Sequence, residues 1–275
     1  MNNLTLTTTD LTLFFLFMFI FGLCIGSFLN VVIARLPGLI DNELSDQSEQ
    51  PAANLIRPGS RCPECKNKLY WIDNIPLLSY LLLKGKCRHC DTPISTQYFW
   101  VELLTGLLFV LCLIRFGIST TLFWSLILTS ALITLAIIDL NTWLLPDSIT
   151  LPGIALGLVL SFFNHFASLK DAIIGAIAGY LILWAIYQIH HRLTGREGMG
   201  YGDFKLLAML GAWLGWYTLP IIMLISSLAG LVIFIVLKIV YKFDHTQPIP
   251  FGPFLAIAGW IVMINQDLFQ LYIAG

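Results

Sequence analysis

The chain has 275 residues, of which 57% are hydrophobic and 11% charged, with a formal net charge of −1 and a mean hydropathy of +0.82. Soluble domains carry about 25% charged residues, so a water-soluble globular protein is excluded. The near-neutral balance, with no basic stripe, also excludes nucleic acid as the main partner.

The remaining class is an all-α polytopic membrane protein. Its apolar runs are long enough to cross a hydrocarbon core of roughly 30 Å. Eight transmembrane helices are predicted, at approximately Leu11–Val32, Tyr98–Ile114, Thr120–Ile138, Ile149–Phe163, Ala172–Ile189, Phe204–Tyr217, Leu219–Val240 and Phe254–Leu271. No Lys or Arg precedes Arg35 and no small-residue cleavage site follows, so the first run is expected to be a retained span. The sixth run is short and contains Gly211 and Gly215, which predicts a partial or tilted helix packed inside protein. The expected plan is a first span within 1–35, a hydrophilic insert at 36–97, and a membrane core of about seven helices over 98–275.

Basic residues set the orientation. With an outward N-terminus and eight crossings, only Arg115 and Lys170 of the 15 Lys and Arg residues fall outside the cytoplasmic side. That threading places the insert in the cytoplasm. It also brings Asp139, near the end of the third run, and Asp203, at the start of the sixth, to one membrane boundary.

The insert opens on an acidic stretch, Asp41 to Glu49, that reads as a solvated loop or as a surface for a basic peptide. It then carries Cys62-Pro63-Glu64-Cys65 and, 21 residues later, Cys87-Arg88-His89-Cys90. Paired CxxC knuckles at this separation have the form of a four-thiolate structural zinc site, with Cys62, Cys65, Cys87 and Cys90 as ligands. Two disulfides are the alternative, but disulfides belong to oxidising compartments. His89 is a less suitable ligand because it sits inside a knuckle. Four thiolates leave no open coordination position, so such a metal organises the insert. Cys24 and Cys112 lie in apolar runs and read as small core residues.

A carboxylate near the hydrocarbon boundary is costly, which makes Asp139 and Asp203 functional candidates. Two carboxylates at one depth can share a proton and activate a water, as aspartic proteases do. HExxH and GxSxG patterns are absent from the sequence. Gly198, Gly200 and Gly202 beside Asp203 leave room for an extended substrate backbone. Gly211 and Gly215 are spaced for close helix packing. Asp147 competes for the role of first carboxylate, but its position reads as a helix cap or a substrate contact. Asp139 ends a helix, where the dipole disfavours negative charge, which suits one member of a proton-sharing pair. Lys205 is placed either to bias the charge of that pair or to reach lipid headgroups. Glu102 is expected to snorkel, to pair with a cation or to face inward, and Asn30 is a second polar group within a span. His190 and His191 read as an interfacial pair at a helix end.

These residues resemble the type IV prepilin peptidase family over nearly the whole chain. The likeness is carried by Gly22 to Pro37, the Cys62/Cys65 and Cys87/Cys90 pairs, Asp139 to Thr150, Glu197 to Lys205, and Pro250 to Ala256. It implies a bacterial inner-membrane aspartic protease of the GxGD type, with Asp139 and Asp203 catalytic and Gly200, Gly202, Lys205 and Asp147 in support. The implied substrates are prepilins and pseudopilins, cut after a glycine that ends a short basic leader. A second implied reaction methylates the new N-terminal amine with S-adenosylmethionine, a property of relatives that carry the cysteine insert. Partners would be the lipid bilayer and components of pilus or type II secretion assembly. The rival readings are a proton-coupled transporter with relay aspartates and a structural assembly protein tethered by its zinc insert.

Overall fold

The computed structural model describes residues 8–44, 59, 61–62, 64–195, 199–241 and 249–266. Expectations placed on Glu197, Gly198, the acidic stretch past Leu44 and the end of the eighth run lie outside these residues. The described chain is helical, and two isolated β-bridges are its sole pairings of extended backbone. In chain order it forms α1 (Thr8–Leu44), a 3₁₀ turn at Trp71–Asn74, α2 (Leu78–Leu82), α3 (Thr96–Phe116), α4 (Thr120–Thr142) and α5 (Asp147–Ser161). Then follow α6 (Leu169–Thr194), α7 (Tyr201–Leu214), a 3₁₀ turn at Trp216–Thr218, α8 (Leu219–Tyr241) and α9 (Gly252–Ile264). A helix thus stands at each of the eight predicted runs. Among the described residues, five helices are long and apolar enough by themselves to cross a membrane: α1, α3, α4, α6 and α8 with the turn before it. Helices α5 and α9 are apolar but shorter.

The chain forms two compact units, residues 1–130 and 131–275. In the first, α1 and α3 pack antiparallel through small residues. A Cβ on Gly22 would lie 2.7 Å from the Gly106 Cα, and one on Gly26 would lie 2.7 Å from the Glu102 Cα. With no room for side chains, the two backbones approach closely, which is how helices gain contact in lipid. Helix α1 runs well past the predicted end of its span. Pro37 lies inside it, and Asp41 to Leu44 are helical, where a loop was expected. Proline fixes a helical φ and forfeits one hydrogen bond, and the apolar positions Leu36, Ile40 and Leu44 continue a helical stripe.

In the second unit α7 is the central element. Every residue from Asp203 to Leu214 except the half-buried Lys205 is buried, as expected of a helix packed inside protein. Gly211 meets the Gly175 backbone of α6, Gly179 of α6 meets Leu207, and the Trp213 indole donates to the Gly153 carbonyl of α5 at 2.8 Å. Gly259 of α9 lies against Leu210. Gly215 differs from its expected packing role: at φ +87 it ends α7, its N–H bonding the Gly211 carbonyl at 2.9 Å. Cys112 is buried as expected, whereas Cys24 is exposed on α1, because its run turns that face outward.

Candidate functional site

Two groups of side chains carry the chemistry, one in each unit. The first is built from the cysteine knuckles, which adopt the same local fold twice. The Cys62 N–H bonds the Asn67 carbonyl at 3.0 Å and its carbonyl accepts the Lys66 N–H at 3.0 Å. The Cys87 N–H bonds the Thr92 carbonyl at 2.9 Å and its carbonyl accepts the Asp91 N–H at 3.0 Å. Lys66 and Asp91, each the residue after the second cysteine, take positive φ of 57° and 54°. Each turn is closed by a bridge, Arg61 to Lys68 and Lys86 to Pro93. A pair of tight turns therefore aims four sulfurs at one point.

The four Sγ atoms lie within 4.8 Å of one another, and Cys62 and Cys90 are 3.8 Å apart. A tetrahedral zinc with bonds of about 2.3 Å sets its sulfurs about 3.8 Å apart, so the donor set fits such an ion. The thiols differ in acidity. The Thr92 hydroxyl pulls the Cys90 thiol down to about 6. Cys65 is held at about 11, because the Asn67 N–H that favours its thiolate is outweighed by burial and the neighbouring thiols. With its thiols ionised, the cluster could hold a cation such as zinc at its centre. The His89 ring lies tilted against Tyr70, with centroids 5.9 Å apart. Arg88 donates twice to Asp73 Oδ1, at 2.7 and 3.1 Å, and this contact holds the Asp73 carboxyl below its usual range.

The second group surrounds the two aspartates. Helix α4 stops sharply after Asp139: Trp143 takes φ +60, and its N–H bonds the Asp139 carbonyl at 2.9 Å. The buried Asp139 Oδ2 accepts the Gly252 N–H from the start of α9 at 3.0 Å. Asp203 occupies the first turn of α7, its N–H bonding the Gly200 carbonyl at 3.2 Å. Its Oδ1 is buried without a hydrogen-bond partner. The carboxylates are close enough for their charges to interact. Leu145 lies against both Gly202 and Gly252. A Cβ on Gly202 would fall 2.6 Å from Leu145 Cβ, and one on Gly252 would fall 3.2 Å from Leu145 Cδ1 and 2.6 Å from Asp139 Oδ2. Glycine is required at both positions because Leu145 and Asp139 already fill the space.

Asp147 and Lys205 pair with each other. The Lys205 Nζ donates to both Asp147 oxygens at 2.7 Å, tying the starts of α5 and α7. Asp147 is the first residue of α5 and does not cap it, since Pro146 holds the cap position. Glu102 faces inward and accepts the Leu77 N–H at 2.8 Å. His190 and His191 are exposed near the end of α6. The Gly252 contact with Asp139 was not anticipated. Its signal is the Phe251-Gly252-Pro253 step, a glycine beside a helix start with no turn of its own to explain it. An open apolar groove of about 430 Å³ runs between α8 and α9, lined in part by Gly230, Phe234 and Phe251.

Comparison with known proteins bears on both groups. Residues 20–116 match the bacterial peptidase A24 N-terminal domain and residues 126–235 match the type IV leader peptidase family. The chain is 48% identical to a prepilin leader peptidase/N-methyltransferase of Aeromonas hydrophila, over 93% of this chain and 92% of that one. Proteins of the same name from Pseudomonas aeruginosa and Burkholderia pseudomallei are 44% and 43% identical. These cover 90% and 94% of this chain and 88% of each relative. No solved structure matches the chain.

Proposed function

The chain belongs to the type IV leader peptidase family, and from that premise we propose that it removes the leader of prepilins and pseudopilins and then methylates the new N-terminus. The observation that carries the proteolytic half is the buried pair Asp139 and Asp203, held beside two glycines that admit no side chain. One carboxylate, ionised, takes a proton from a water molecule. The other, protonated, polarises the scissile carbonyl, and the water oxygen attacks its carbon. The tetrahedral adduct then collapses, the C–N bond breaks, and the leaving amine takes up the proton removed from the water. The pair shares one proton and titrates as a unit. Gly252 holds Asp139 in place through its N–H, and the unpartnered Asp203 Oδ1 is free to meet substrate or water.

A dyad at the cytoplasmic boundary of the inner membrane suits a substrate with a basic leader in water and an apolar helix in lipid. The groove between α8 and α9 is lined in part by Phe251, next in sequence to the glycine that binds Asp139. It offers an apolar surface for that helix. The Lys205–Asp147 pair braces the two helix starts that flank the site. In this reading the segment 36–97 is a cytoplasmic module in which Cys62, Cys65, Cys87 and Cys90 hold zinc, and 98–275 carries the peptidase. The zinc would order the two knuckles. Methylation consumes S-adenosylmethionine as a second substrate, and pilus or type II secretion components are the expected partners.

The test is incubation of the purified protein with a prepilin and S-adenosylmethionine, followed by mass spectrometry of the product. The reading requires loss of the leader after glycine and gain of one methyl on the new terminus. An intact prepilin, with the protein folded, would end it.

A further inference from the structure

Between α1 and α3 lies a buried polar pair that proteolysis does not use. Asn30 is 2% exposed and Glu102 7%. The Asn30 Nδ2 donates to the Tyr98 carbonyl at 3.1 Å. That bond orients the amide, because the flipped form would set oxygen against oxygen. The Asn30 Oδ1 is then left buried with no partner. Glu102 sits one helical turn beyond Tyr98 on the same face of α3. Its carboxylate meets the Leu77 N–H and the Ser27 hydroxyl, and among the described residues no cation acts on it.

A buried carboxylate without a cation and a buried amide oxygen without a donor are both costly. Both are acceptors, so the ligand chemistry that satisfies them together is a cation with several N–H donors, a primary ammonium. Glu102 lies six residues inside α3 from Thr96, about 9 Å along the axis. Under the charge-based threading this is the cytoplasmic end of the span. The new N-terminus of a processed substrate is a primary ammonium attached to an apolar helix, and it is released at that level.

We propose that Asn30 and Glu102 bind the N-terminal ammonium of the cleaved substrate, and that Glu102 is the base that prepares it for methylation. This rests on the methylation half of the function above. An α-amine with a pKa of about 7.7–8.0 is mostly protonated at neutral pH and has no lone pair to donate. One proton passes from the ammonium nitrogen to the Glu102 carboxylate. The freed lone pair forms the bond to the methyl carbon of the sulfonium donor, while the carbon–sulfur bond breaks and its electron pair stays on sulfur. A secondary ammonium and a thioether result, and Glu102 returns its proton to water.

Two measurements test this on the full-length protein in nanodiscs. The first is methylation of a processed substrate by wild type and Glu102→Gln, followed across pH with leader cleavage read alongside. Gln keeps an oxygen for the Leu77 N–H. Methylation at neutral pH should fall roughly 100-fold or more and recover as pH rises past the amine's own pKa, while cleavage continues. Methylation unchanged, or lost in step with cleavage, would overturn the proposal. The second is binding of a mature-terminus peptide, with free or acetylated amine, in the absence of any methyl donor. Acetylation should weaken binding roughly tenfold or more in wild type and have little effect in Asn30→Ala or Glu102→Gln. Equal binding of both peptides to wild type contradicts the site. So does a free-amine preference that vanishes when phosphatidylethanolamine is added to phosphatidylglycerol discs, because the ammonium held there is then a lipid headgroup. A wild type that binds the free amine but never methylates would sink the methyltransferase reading and leave the ammonium site standing.

Discussion

A methyl group on Gly252 would enter the space of Asp139 Oδ2, at 2.6 Å, and of Leu145. Gly252→Ala therefore has to push the carboxylate or α9 aside. Misplacing a catalytic group by about 1 Å can cost 10²-fold, so cleavage should drop at least roughly tenfold in this variant while its abundance stays near normal. A cleavage assay on matched amounts of protein checks it, and wild-type activity would mean that the Gly252 contact does not position Asp139. The Asp147–Lys205 pair is a different case. Asp147 is 55% exposed and Lys205 27%, and exposed pairs contribute about 0–1 kcal/mol. Asp147→Asn should thus leave both stability and cleavage close to wild type. Asp139 and Asp203 were legible in the sequence because carboxylates at span ends are rare. The partner of Asp139 was not, since a backbone N–H from a residue 113 positions away leaves no mark in composition.

Among the elements, α7 depends most on its neighbours. It has only 14 residues and, apart from Lys205, is buried from Asp203 onward, so its place is set by the glycines that let α6 and α9 approach. Gly175 and Gly211 touch through their backbones. Overpacking costs about 1–3 kcal/mol where side chains can yield, and here the obstacle is backbone. Gly175→Leu should therefore lower the thermal midpoint and reduce cleavage together, as a melting curve and an activity assay on one preparation can show. A Gly175→Leu protein with wild-type melting would mean that the α6–α7 crossing is looser than this. Hydropathy located the long helices well, because lipid demands apolar length. It misjudged where α1 ends, because beyond Pro37 the helix is sustained by spacing and not by apolar length. It also gave no warning that Gly215 ends a helix, since packing and terminating glycines look alike in a sequence.

At the level of the whole chain, the helices and the cysteine knuckles differ in what can hold them. The helices of both units rest on close packing through glycines, whereas the knuckles at 61–94 contain little apolar core and bring four sulfurs together that could hold a metal. Metal removal by a strong chelator, or the double change Cys62→Ser and Cys87→Ser, should expose the knuckle segment to proteolysis while the membrane helices stay protected. Metal content should fall in the same samples. Unchanged metal content and unchanged protection would remove zinc from the account. The spacing of the cysteines announced this cluster, because tight turns of fixed length are a local property. The ammonium site proposed between Asn30 and Glu102 could not be seen that way, since it depends on the register of α1 against α3.

The central claim is that Asp139 and Asp203 together hydrolyse the leader peptide bond. The most direct test is cleavage of a prepilin by purified wild type and by Asp139→Asn, Asp147→Asn and Asp203→Asn, each confirmed as folded by its melting curve. Cleavage should be lost in the Asp139 and Asp203 variants and stay near normal in the Asp147 variant. Cleavage surviving in either Asp139→Asn or Asp203→Asn would contradict that claim.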